Sequence, residues 1–279
     1  MSILVTGSTG KTGRCIVSLL QNRSFNVIAV SRQPGYSTRF DWEDRATYIL
    51  PFEAVHHARV VSVHLIIPAH IPPQHVCEFI DLSVSKGVKR FVLMSGSLDI
   101  PGDPIQGPIR AHLRKSGVAF CILRPSRFFE NFSEMPESLR DEDKIVSATG
   151  TASIGFVSCE DVAQVAVDCL LAEPPHCIEH IIVGPELLSF NEVAECFSNS
   201  LQRRITHGSI SVVEQQELWS MFGLPDEFIR LMGSVEEMTA TGGEETVYAA
   251  ETKIVGKKKL REFVRENLSL WTRTEDVDP

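Results

Sequence analysis

The chain has 279 residues, of which 43% are hydrophobic and 23% charged, a composition that supports a full apolar core and excludes a disordered chain. Its formal net charge of −9 excludes a nucleic-acid protein, because phosphate binding needs clustered Lys and Arg, and the run Lys257, Lys258, Lys259 is too short to supply them. No apolar stretch reaches the roughly 18 to 20 residues of a membrane span, so no membrane partner and a cytosolic location are expected.

In chain order, residues 2–6 read as a short apolar strand stopped by glycine, and 12–22 as a helix with apolar positions at Cys15, Ile16, Leu19 and Leu20. Residues 26–31 give a second strand, so the opening is a βαβ unit. Strands follow at 60–67, 89–94 and 118–123. They are separated by a helix through Val76, Phe79, Ile80 and Val84 that ends near Gly87, and by a helix over 109–116. This alternation predicts an α/β fold, a Rossmann-like doubly wound parallel sheet, with an NADP-binding domain over 1–125. Residues 126–279 are expected to form a smaller, mostly helical substrate lobe with elements that return to the core fold. Capping boxes are expected at Ser158 with Asp161, Ser189 with Glu192 and Ser211 with Glu214. Core-facing helices are expected over 189–202 and 257–271, the latter through Leu260, Phe263, Val264, Leu268 and Trp271.

The segment Gly7-Ser8-Thr9-Gly10-Lys11-Thr12-Gly13 lies between the first strand and the first helix, where a dinucleotide fold puts its pyrophosphate. Gly7 permits the turn, Gly10 lets the backbone approach the phosphates, and Gly13 lets helix and strand pack closely, while the helix N-terminus offers free amides. The triphosphate-binding loop is the rival, since Gly10-Lys11-Thr12 matches its end, but it fails at Val5, where its first glycine is required. Ser31-Arg32 ends the second strand, and no acid precedes Asp41, which matches a 2′-phosphate and hence NADPH/NADP. A plain surface arginine is the alternative for Arg32. The cofactor is expected to meet Gly7, Thr9, Gly10, Lys11, Thr12, Gly13, Ser31, Arg32, Asp41, Trp42, Pro68, Ser95, Pro125 and Phe128. Seven cysteines are scattered singly, with no metal-ligand spacing, so reduced thiols and no metal site are expected.

Several further segments carry a family likeness: the loop at 7–13, Phe40-Asp41-Trp42, Val88 to Ser95, Leu123-Arg124-Pro125 with Phe128 and Glu130 to Ser133, Phe156-Val157-Ser158, and Gly184 to Leu188. By these the chain resembles, over nearly its whole length, the NmrA-like atypical short-chain dehydrogenase/reductases, and within them the fungal ergot-alkaloid reductases, the agroclavine and festuclavine dehydrogenases. The resemblance implies NADPH-driven reduction of an iminium or activated double bond of a small, indole-alkaloid substrate. An iminium is already electrophilic, which suits a chain whose tyrosines (Tyr36, Tyr48, Tyr248) include none on the helix after the fifth strand, where ketone-reducing relatives keep a Tyr-Lys pair. His112, with Lys115, is either a substitute acid or a solvated helix face. Ser95, at a strand's carboxyl end, either meets nicotinamide and substrate or caps a loop. Arg127 stands where the alkaloid reductases carry Trp; it either binds a carboxylate or carbonyl oxygen or pairs with Glu130 or Glu134. Two other functions remain open, an NADP-holding cyclase of Pictet-Spengler or cycloaddition type and a non-enzymatic NADP-binding redox sensor.

Overall fold

The computed structural model describes residues 1–33, 38–53, 59–134, 136–174 and 176–273. Its first half runs β1 (Ser2–Val5), α1 (Lys11–Asn22), β2 (Asn26–Ser31), β3 (Thr38–Arg39), α2 (Leu50–Glu53), β4 (Val60–Leu65), α3 (Pro73–Ser85), β5 (Arg90–Met94), α4 (Gln106–Lys115) and β6 (Ala119–Pro125). There follow α5 (Pro136–Asp141), β7 (Lys144–Ser147), β8 (Ser153–Ile154), α6 (Cys159–Leu171), β9 (Ile178–Val183), β10 (Leu188–Ser189) and α7 (Phe190–Leu201). The chain closes with β11 (Thr206–Ser209), α8 (Val212–Met221), α9 (Asp226–Ala240), α10 (Gly243–Ala249), β12 (Lys253–Val255) and α11 (Leu260–Glu266).

Eight strands form one sheet in the order β12-β9-β6-β5-β4-β1-β2-β3, the doubly wound Rossmann-like arrangement that the alternation predicts. The chain builds outward from β1 through β2 to β3, then returns to β1's other side with β4, so the strand order reverses beside β1. Near-continuous apolar strands are buried on both faces, as parallel sheets require.

The chain divides into two compact units. The first holds Met1–Arg124 with Cys159–His180, the second Pro125–Ser158 with Ile181–Pro279. In the first, Val63, Leu65, Phe91 and Leu93 pack with Phe79, Ile80, Ile109 and Leu113 of α3 and α4. The opposite face meets α1 and α6: the Ser62 hydroxyl donates to the Leu170 carbonyl at 3.1 Å, and Arg90 donates to the carbonyls of Leu170 and Ala172. Those carbonyls close α6, whose last turn has no helical donors left for them.

The second unit packs Phe129, Phe156, Phe190, Phe197, Phe263 and Trp271 into a core of its own. Both capping boxes of this unit form as expected. The Ser189 and Ser211 hydroxyls accept from the Glu192 and Glu214 amides, and the two glutamates reach back to the serine amides. The stripe expected as one helix over 257–271 is shorter. Asn267 leaves helical backbone at φ −113°, its side-chain amide donates to the Phe263 carbonyl at 2.9 Å, and a separate 3-10 turn, Leu268–Leu270, carries the chain to Trp271. Beyond it, Arg273 donates to the Arg140 carbonyl and pairs with Asp143 at 2.8 Å.

Candidate active site

All strands of the first unit run parallel, so the loops after β1, β2, β4 and β5 emerge at one edge of the sheet, and the break in strand order beside β1 opens the crevice used by ligands of such folds. The loop after β1 is a tight turn: the Gly10 amide donates to the Gly7 carbonyl at 3.0 Å. Gly7 takes φ +61°, and a Cβ there would stand 2.9 Å from the Ile66 Cβ, so both backbone and space demand glycine. The turn is pinned beneath by Ser8, whose hydroxyl donates to the Val30 carbonyl at 2.8 Å, and by Thr6, whose hydroxyl accepts from the Ile66 amide at 2.9 Å.

The turn leads into α1 without a side-chain cap. Gly10 is the N-cap and supplies no side-chain cap hydrogen bond, and no acid stands in the first turn. A 12-residue helix that starts without a side-chain N-cap, with the positive end of its dipole at the turn, fits an anionic pyrophosphate. Thr9 and Lys11 are half-buried beside it. Thr12 is buried, its hydroxyl 3.5 Å from the Cys159 sulfur of α6.

The other expected cofactor residues divide. After β2, the Ser31 hydroxyl accepts from the Gln33 amide at 3.1 Å, and the exposed Arg32 guanidinium lies 3.9 Å from Glu43, a loose pair that leaves most of its donors to solvent. Asp41 accepts from the Glu43 amide at 3.1 Å. Trp42 is a core residue, 6% exposed and edge-on to Phe40 and Phe79, so its indole is engaged within the protein. Pro68 is exposed after β4. Pro125 ends β6 and Phe128 stands half-buried after it, both in the second unit.

Ser95 follows β5 directly. Its amide donates to the Leu123 carbonyl at 2.8 Å, and its half-buried hydroxyl has no protein partner among the described residues. The loop after it is clamped by Arg124, which donates to the Ser97 carbonyl at 2.6 Å and pairs with Asp99 at 2.9 Å. Arg110 reaches both Asp99 (2.8 Å) and Glu179 (3.0 Å). Burial by itself would raise the Asp99 carboxyl, but hydrogen bonds from Arg110 and Arg124 hold it below the usual carboxylate range.

His112 stands in the last turn of α4, with Nε2 2.8 Å from Asp81 of α3. A helix that follows a strand starts at the strand's carboxyl end and runs back, so its last turn lies toward the other edge of the sheet. Among the described tyrosines, Tyr48 donates to the Trp42 carbonyl at 2.7 Å, and burial pushes it up to about 12. Tyr248 donates to the Pro185 carbonyl at 3.2 Å, and Tyr36 lies outside the described residues.

In the second unit Arg127 pairs with Glu236 of α9 at 2.6 Å, and its guanidinium lies 5.6 Å from the Phe190 ring centroid. Glu236 escaped the sequence reading, although one signal was present: with Ile229, Gly233 and Thr239 it sits on the buried face of α9, where an acid is out of place. The cluster of Cys121, Cys169 and His180, whose ligand atoms lie within 4.8 Å of one another, also had no sequence spacing to announce it. The Cys121 thiol donates to the Cys169 sulfur at 2.9 Å, and this bond, with help from His180, lowers the Cys169 thiol below its ordinary value.

The comparisons with known proteins agree with this architecture. The profile of a family described as NAD(P)H-binding matches residues 7–173. The agroclavine dehydrogenase of Claviceps fusiformis is 35% identical over 97% of this chain and 99% of its own, and festuclavine synthase I of Penicillium roqueforti is 34% identical over 97% and 100%. Among solved structures, the Citrobacter triphenylmethane reductase complexed with NADP(H) superposes with a TM-score of 0.75 at 18% identity, covering 95% of this chain and 99% of its own. No helix among the described residues is long and apolar enough to cross a membrane. With the profile match over residues 7–173 and full-length relatives at this identity, the chain belongs to the NAD(P)H-binding, NmrA-like oxidoreductase family that includes the agroclavine and festuclavine dehydrogenases.

Proposed function

We propose that the protein is a cytosolic reductase that uses NADPH to reduce an iminium or a comparably activated double bond of a small alkaloid-like molecule. The observation that carries the reading is that, among the described residues, no tyrosine hydroxyl is left to protonate an acceptor: those of Tyr48 and Tyr248 are spent on the backbone carbonyls of Trp42 and Pro185. An acceptor whose carbon is already electron-poor needs no proton from the protein during hydride attack, and the pair displaced from the double bond settles on nitrogen. The names of the full-length relatives support the substrate class.

In this reading the first unit holds the cofactor and the second the substrate. The α1 amides, with Thr9, Lys11 and Thr12, take the pyrophosphate; Ser31 and Arg32 take the ribose phosphate. Pro68 and the free hydroxyl of Ser95 flank the nicotinamide, with the Ser95 loop held by Arg124. NADPH supplies the hydride when bound. His112, engaged by Asp81, has no part in it. The test is NADPH oxidation followed at 340 nm with a cationic triphenylmethane dye and a neutral naphthoquinone as acceptors. Turnover dependent on either acceptor is expected. Ring closure of an alkaloid precursor without NADPH oxidation would make the protein a cyclase, and NADPH binding with no turnover of any acceptor would make it a sensor.

A further inference from the structure

The second unit buries an acid that its own fold leaves half used. Glu236 is 3% exposed; its Oε1 accepts from Arg127 Nη2 at 2.6 Å, while its Oε2 has no hydrogen-bond partner among the described residues. A second acid repeats the pattern on α10, which packs against α9: Glu245 Oε1 accepts from the Ser153 amide at 2.6 Å, and its Oε2 is buried and without a hydrogen-bond partner. Burying a carboxylate oxygen without a donor is costly, and folding alone gives no return for it.

Arg127 fixes the Glu236 carboxylate without saturating it. The guanidinium engages one carboxylate oxygen through one nitrogen and is itself held over the Phe190 ring, at 5.6 Å from the centroid. The lone pairs of the second oxygen therefore stay unused while the first is held. The rings of Phe132, Phe156 and Phe190 gather in the same unit. A buried carboxylate with one unused oxygen suits a cation.

We propose that Glu236 Oε2 receives the positively charged nitrogen of the substrate, a protonated amine or a conjugated iminium. This rests on the reductase reading above and specifies which charge the substrate carries. It also fixes which kinetic constant Glu236 serves. Hydride addition to an iminium removes the positive charge progressively, so the carboxylate binds the substrate more strongly than the transition state, which keeps part of that charge; its loss raises KM and does not lower kcat.

The experiment measures steady-state kinetics at saturating NADPH for the cationic triphenylmethane dye and the neutral naphthoquinone, in wild type, Glu236→Gln and Glu236→Asp. Glu236→Gln is expected to raise KM for the dye about 10- to 100-fold without lowering its kcat, and to lower the dye-to-quinone ratio of kcat/KM by a smaller factor. Glu236→Asp recovers part of the loss. An unchanged ratio, or a fall in kcat at constant KM, overturns the proposal while leaving the reductase reading intact. A wild type that reduces neither acceptor removes the reductase reading and this inference with it. Should Glu236→Gln fail to fold, wild-type inhibition by trimethylphenylammonium and by its uncharged counterpart tert-butylbenzene decides the matter: the cation is expected to inhibit at least tenfold more strongly, and equal inhibition overturns the proposal.

Discussion

The α-carbon of Gly13 lies against the carbonyl group of Gly7: a Cβ at position 13 would overlap the Gly7 oxygen and stand 2.8 Å from its carbonyl carbon. Gly10 is different, because a Cβ there meets only the Gly7 oxygen, at 3.3 Å, and its backbone is extended.

The two glycines of the phosphate loop should therefore fail in different ways. Gly13→Ala is expected to lower the melting temperature and to abolish NADPH binding, because rigid backbone must move. Gly10→Val should melt within a few degrees of wild type yet lose NADPH affinity, since its side chain occupies the phosphates' approach. Differential scanning fluorimetry with calorimetric titration separates the two. Wild-type NADPH affinity in Gly10→Val would mean that the pyrophosphate lies elsewhere.

The preference for NADPH over NADH should rest on Arg32. Its removal in Arg32→Ala is expected to cost about 1.5 to 3 kcal/mol of NADPH binding and little of NADH binding. Glu43 lies 3.9 Å from Arg32 and both side chains are well exposed, so Glu43→Gln should strengthen NADPH binding by no more than about fivefold. Equal affinity of the parent protein for both cofactors would refute the assignment.

Breaking the Arg127–Glu236 pair from the arginine side should destabilise the fold as well as the chemistry. Glu236 is buried, so Arg127→Met leaves an uncompensated charge, at an expected cost of about 3–5 kcal/mol in urea denaturation. The double variant Arg127→Met/Glu236→Leu should regain most of that stability. Additive losses in the double variant would show that the two residues do not depend on each other.

Acid sensitivity should trace in part to His64. Its ring is fully buried on β4, neither nitrogen has a hydrogen-bond partner among the described residues, and burial lowers it from 6.5 to about 3. Between these values the unfolded chain binds a proton that the folded chain refuses. Stability therefore falls as pH drops below 6.5, by at most about 1.4 kcal/mol per pH unit, and is indifferent to this residue above it. His64→Leu should flatten the stability profile between pH 6.5 and 4.5, the range above ordinary carboxylate titration. Parallel profiles for the two proteins would exclude His64 as the source.

The sequence by itself determined what depends on neighbours along the chain. Glycines three apart at a strand-to-helix junction and Ser-to-Glu steps of three residues act through backbone geometry within one turn, so the tight turn after β1 and the capping boxes at Ser189 and Ser211 were legible. Periodicity also revealed which faces are apolar, and hence the order of strands and helices. It does not say which face meets which. That Trp42 turns into the Phe40–Phe79 core, that residues 159–180 fold with the first unit, and that Arg127 takes Glu236, 109 residues away, as its partner were decided by packing in three dimensions. The physical reason is the same in each case. A buried charge or ring is stabilised by whatever the fold brings within a few ångströms, and local spacing carries no record of a partner on a distant element.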